Sequence, residues 1–170
     1  MATTYDILKY LSENDVEYSL LTHEPITTAL NLAKTIKLPA HIIARTILIK
    51  TEKQFWMIVL PADRKVNIEA VCRILGANCA READAGDWSF YFPDCDMDTM
   101  PPFGNLYGIN ILVEKSLEVG RRIVFSAYSR TQSIFMRWDA YVNLVKPIVA
   151  EICDESSAPQ FQRLPQNIMA

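Results

Sequence analysis

Two histidines and four cysteines are the side chains in this 170-residue sequence that could act as an imidazole base or a thiolate nucleophile. His23 lies in Thr22-His23-Glu24-Pro25, where Pro25 pushes Glu24 out of the helical region. A hydrogen-bonding loop histidine is the plain reading there. His41 stands just before an apolar run and reads as a partly exposed cap. Cys72, Cys79, Cys95 and Cys153 make no C-x-x-C pair, so the ligand spacing of a zinc site is missing. A Cys95 nucleophile with His23 as its base is open as chemistry, though nothing in the spacing points to it. There is no G-x-G-x-x-G, no P-loop, no G-x-S-x-G and no H-E-x-x-H. The expectation is a protein with no metal and no cofactor.

Half of the residues are apolar and 22% are charged, enough to bury a sizeable core in one domain. The formal net charge of −3 argues against a protein that coats nucleic acid, because such binding rests on many Lys and Arg contacts to phosphate. DNA is not an expected partner. A small site reading one RNA end is compatible with an acidic surface. No apolar run approaches the length needed to span a bilayer, and the N-terminus has no basic-then-apolar leader, so the chain reads as cytoplasmic with reduced thiols.

The elements that must position any site follow from periodicity. Thr4 is expected to cap a helix carrying Tyr5, Ile7, Leu8 and Leu11 on one face. A strand is expected over 16–21, and a helix capped by Thr27 or Thr28. The runs 42–50 and 55–60 read as strands, the second buried on both faces. Asn67 caps a helix closed by Gly76. Residues 78–100 read as irregular, with Trp88, Phe90, Tyr91 and Phe92 covering the core, and 101–104 as a rigid loop. Strands follow at 110–113, 122–127 and 133–137, with a turn at Gly120. Residues 138–145 read as a helix, and 147–152 as a second helix or its continuation. This order predicts an α+β fold with a mixed sheet, one domain over 1–155, and a mobile tail over 156–170.

Several segments in register resemble one family. They are Thr22-His23-Glu24-Pro25 with Thr27-Thr28-Ala29; Ile42-Ile43-Ala44-Arg45-Thr46-Ile47-Leu48-Ile49-Lys50; Leu60-Pro61-Ala62-Asp63; Pro101-Pro102-Phe103-Gly104; and Arg122-Ile123-Val124-Phe125-Ser126-Ala127. Together they resemble the YbaK/prolyl-tRNA-synthetase-associated aminoacyl-tRNA deacylases. The resemblance implies a mixed, barrel-like sheet flanked by helices and hydrolysis in trans of amino acids wrongly attached to tRNA. It implies the 3′ end of aminoacyl-tRNA as substrate, with an aminoacyl-tRNA synthetase or a second copy as partner. It places Arg45, Asp98, Pro102 and Gly104 at catalytic positions, and His23, Thr46, Pro101, Phe103, Tyr128, Ser129 and Arg130 at substrate-binding ones.

Three departures from the family pattern stand out. Arg45 stands where a lysine is usual, Asp98 where a glycine is usual, and Tyr128 with Arg130 where the late strand usually runs into Gly and then a polar or His position. Arg45 keeps the charge but cannot act as a base. Asp98 adds bulk where Gly would permit positive φ. The expectations are an Arg45–Asp98 ion pair and a Tyr128 ring filling the pocket. On that basis activity is reduced or altered, and the alternative is an inactive binding module for aminoacyl-tRNA, an amino acid or a nucleotide.

Overall fold

The structure, a computed structural model, describes residues 2–154. The tail expected over 156–170 lies outside the described residues. Helix α1 (Thr4–Glu13) buries Ile7 and Leu11. Its cap is Thr3, one residue earlier than expected: the Asp6 carboxylate accepts from the Thr3 N–H at 2.7 Å and closes a capping box. Thr4 instead donates its hydroxyl to the Ala127 carbonyl at 2.6 Å, tying the helix to the far side of the sequence. Helix α2 (Ala29–Ile36) is capped by Thr28, and α3 (Ile68–Leu75) by Asn67 with Gly76 in the left-handed region behind it.

Two sheets carry the remaining core. Strands β1 (Tyr18–Thr22), β7 (Gln132–Arg137) and β6 (Arg122–Ser126) form an antiparallel three-stranded sheet in that order. The second sheet runs β4 (Ala80–Glu82), β2 (Ala44–Thr51), β3 (Phe55–Pro61), β5 (Asn110–Glu114) and β8 (Ile148–Ala150). Its β4–β2–β3 half is antiparallel, and β3–β5–β8 is parallel. A single parallel bridge between Ile43 and Val124 joins the sheets. The α+β class and the mixed sheet stand as expected, but no closed barrel forms. Two buried apolar clusters flank the large sheet, one around Phe103, Phe125 and Tyr141 and one around Ile49, Ile58 and Val71.

Three further expectations need correction. Residues 147–152 are not helical. Lys146 takes a left-handed φ of 53° that ends α5 (Trp138–Val145), and β8 then pairs parallel with β5. The stretch 78–100 is more ordered than expected, holding β4, helix α4 (Ala85–Tyr91) and a 3₁₀ turn at Met97–Thr99. Within it Trp88 and Phe92 are buried, whereas Phe90 faces solvent. His41 is buried, because the 3₁₀ turn Ala40–Ile42 packs against the 3₁₀ helix Lys115–Gly120. Gly120 ends that 3₁₀ helix at the expected turn into β6, and it also serves the close approach: a Cβ there would sit 2.5 Å from Ile42 Cγ2.

Candidate functional site

Strand β2 pairs with β3 over Ala44–Lys50 but with β4 only at Ile49–Thr51. The Ala83 N–H still reaches the Leu48 carbonyl at 2.8 Å, so the even-numbered residues of β2 turn their main chain to this side. Between Leu48 and the Ile43–Val124 bridge, the edge at Thr46 has no partner strand. A cleft of about 380 Å³ occupies this gap. The first turn of α2 (Thr28 to Leu30) and Ser126 at the end of β6 border it, as do Met97, Asp98 and Met100. The volume suits a small ligand group in a cleft that is mostly apolar with a few convergent polar groups.

Thr46 is the notable polar side chain in it. The residue is 7% exposed, and its Oγ1 has no hydrogen-bond partner. A buried hydroxyl left unbonded is costly, and Thr46 keeps one in a residue that lines the cleft. Arg45 also borders the cleft, but its Nη2 donates to the Arg64 carbonyl at 3.0 Å. Arg64 in turn holds Glu114 at 3.3 Å in a nearly buried ion pair.

The expected Arg45–Asp98 ion pair does not form. Arg45 leans toward the loop after β3, and the cation nearest Asp98 is Arg130, 4.0 Å away. Arg130 is itself occupied by the Asp96 carboxylate and by the Ile26 and Thr27 carbonyls. Burial first, then the charge of Asp96, push the Asp98 carboxyl above its ordinary range, with Arg130 pulling the other way. The Asp98 backbone does not take positive φ, so the conformational reason for a glycine is absent at this position.

Tyr128 does take it, at 57°, so this tyrosine adopts the backbone of the glycine expected there. Its ring does not fill the cleft beside Arg45. The hydroxyl meets that of Tyr107 at 2.5 Å, and the residue walls a separate hollow of about 200 Å³ with Cys95, Asp96, Ser129 and Arg130. The 101–104 loop lies deeper than a pocket wall: Pro101, Pro102, Phe103 and Gly104 are all buried. Phe103 packs edge-on to Tyr10, Phe125 and Tyr141, and the Pro102 carbonyl accepts from the Tyr141 hydroxyl at 2.7 Å. Gly104 is small because a Cβ would meet the Ile109 carbonyl at 2.7 Å.

His23 is a structural loop histidine and does not line the cleft. Its Nδ1 lies 2.9 Å from the Glu24 carbonyl, which can only accept, so in the neutral ring Nε2 accepts from the Ser133 hydroxyl at 2.8 Å. No hydrogen bond joins His23 to Cys95, whose thiol burial pushes up to about 11. The Cys95–His23 pair is therefore not assembled. Among the described residues no group of three or more His, Cys, Asp or Glu is placed to hold a metal. Ser126 was missed in the sequence. Its signal is one buried hydroxyl closing the apolar run Ile123–Val124–Phe125. Glu82, also on the cleft, gives no sequence signal.

A family model for aminoacyl-tRNA editing domains matches residues 23–144, and the chain belongs to that family. No curated protein matches the sequence. Among solved structures, the chain is similar to a hypothetical protein (TM-score 0.79, 16% identity, 87% of this chain and 99% of the other). It is also similar to a candidate trans-editing enzyme for prolyl-tRNA synthetase (0.75, 12%, 89% and 96%). A third likeness is to a candidate signal transduction protein from Marinobacter aquaeolei VT8 (0.70, 10%, 89% of this chain but 31% of the other). At these identities the likeness is one of fold.

Proposed function

We propose that the chain hydrolyses the ester joining a wrongly attached amino acid to the 3′ end of tRNA, acting in trans in the cytoplasm. Membership of the editing family supports this reaction class. The observation that carries the reading for this chain is the open cleft at the unpartnered edge of β2, with the orphan Thr46 hydroxyl in its wall.

Such an ester needs a held acyl group, a donor for the carbonyl oxygen and a placed water. Thr46 supplies the donor through its hydroxyl, and the even-residue main chain of β2 faces the same space. Water adds to the carbonyl carbon, the ester C–O bond breaks, and the proton passes to the ribose oxygen, leaving free amino acid and tRNA. The neighbouring ribose hydroxyl can relay that proton, so no side-chain nucleophile is called for. Arg45 contributes charge but not basicity.

The test is single-turnover hydrolysis across a panel of aminoacyl-tRNAs that includes small residues on proline tRNA. Release well above the protein-free rate for some members is the expected result; no acceleration on any member overturns it. One observation favours the second reading, a binding module without catalysis: the Arg45 guanidinium is tied to the Arg64 carbonyl. Binding of charged tRNA without turnover in the same panel would select it.

A further inference from the structure

We propose that Asp98 is a specificity residue that receives the α-ammonium group of the aminoacyl moiety, so that the cleft takes amino acids with a free amine and rejects N-acylated ones. This rests on the cleft being the aminoacyl site.

The ionised side chains bordering the cleft are Arg45, Glu82 and Asp98. The one cation among them is turned to a main-chain carbonyl. Asp98 is half-exposed, and among the described residues the cation paired with it, Arg130, is 4.0 Å away and already held by Asp96 and two carbonyls. A carboxylate placed beside a second carboxylate without a close partner is a site that a cation completes. Asp98 and Glu82 alone do not make a metal site, and much of the cleft lining is apolar, with Ala29, Leu30, Ala44, Ile47, Met97 and Met100 beside the hydroxyls of Thr28, Thr46 and Ser126. That surround suits a compact ammonium carried on a small carbon skeleton.

The placement of donor and acceptor fits the same group. The turn Met97–Thr99 that carries Asp98 packs against β2, which carries Thr46. An α-amino ester presents an ammonium and a carbonyl oxygen on adjacent carbons, one needing an acceptor and the other a donor. Asp98 is the acceptor and the unbonded Thr46 hydroxyl the donor. An arriving ammonium would offset the Asp96 charge that, after burial, pushes the Asp98 carboxyl upward.

The experiment compares alanyl-tRNA with N-acetylalanyl-tRNA in wild-type protein and in Asp98→Asn, reading kcat/KM. In parallel, binding is measured with the same two acyl groups attached through a non-hydrolysable 3′-amide. The expected preference for the free amine is about ten-fold or more, the scale of a hydrogen bond to a charged group. It should fall below about two-fold in Asp98→Asn, in binding and in rate alike. Equal handling of the two acyl groups by wild type, or a preference that survives in Asp98→Asn, overturns the proposal. If neither ester is cleaved, the hydrolytic reading fails, and the amide arm still decides whether Asp98 selects the ammonium.

Discussion

Thr46 sits in the cleft wall with a hydroxyl that nothing in the fold satisfies. Replacing it by valine keeps the shape and removes an unbonded polar group, which should stabilise the protein by about 1 kcal/mol. For a chain of this size that raises Tm by roughly 2–4 °C. The same change removes a donor aimed at the reacting carbonyl, and hydrolysis should fall by about 10²-fold. A calorimetric scan beside a single-turnover assay reads both signs at once, and a variant that loses stability would show the hydroxyl to be structural. At this scale the sequence exposed types and neighbours better than contacts. Arg45 and Asp98 both reach the cleft, yet their pairing fails because a carbonyl of the β3–α3 loop captures the guanidinium first. Tyr128 shows the same limit: its identity told of a lost glycine, but not that a tyrosine would keep the left-handed backbone, braced by the Tyr107 hydroxyl.

Among elements, β4 and α4 went unread in the sequence and β8 was taken for helix, and for β8 the reason is physical. Ile148–Ala150 is a three-residue apolar run after a proline, and its partner β5 lies far back in the sequence. A parallel pairing of that kind leaves no local trace. What pins the segment is Glu114, 2% exposed, which accepts from the Ile152 N–H at 2.7 Å and from Arg64 at 3.3 Å. Glu114→Ala would strand both donors, the guanidinium in a nearly dry setting, and should cost about 3–5 kcal/mol. Glu151→Ala, at an exposed position nearby, should stay within about 0.5 kcal/mol. Urea midpoints for the two variants, taken with unchanged slopes, check the contrast; equal shifts would remove Glu114 from that role. By comparison α3 was legible to the residue, because Asn67 and Gly76 punctuate it chemically at both ends.

For the molecule as a whole, element order and burial pattern were enough to give the α+β class, while the division into two sheets was not visible. Among the described residues one β-bridge, Ile43–Val124, joins the two sheets, and one bridge leaves no pattern in a sequence. The acidic balance of the full chain sets an expectation for RNA. Affinity should depend on the aminoacylated end, and the slope of log K against log salt should correspond to no more than about three phosphate contacts. Filter binding at several salt concentrations measures it. Tight binding of uncharged tRNA or duplex DNA would contradict a site that reads an acyl group. The incomplete pairing of β2 has one more consequence. A strand flank left open is ordinarily a hazard, since it can recruit a strand from another chain. Here β4 guards one end and the inter-sheet bridge the other, so the exposed stretch is too short to template a neighbour. The same two brackets act as a ruler. Each residue added to β4 beyond Ala83 would zip further along β2 and narrow the opening by about 3.3 Å. The size of amino acid admitted would then be set by the length of a neighbouring strand as much as by the bulk of any side chain in the wall.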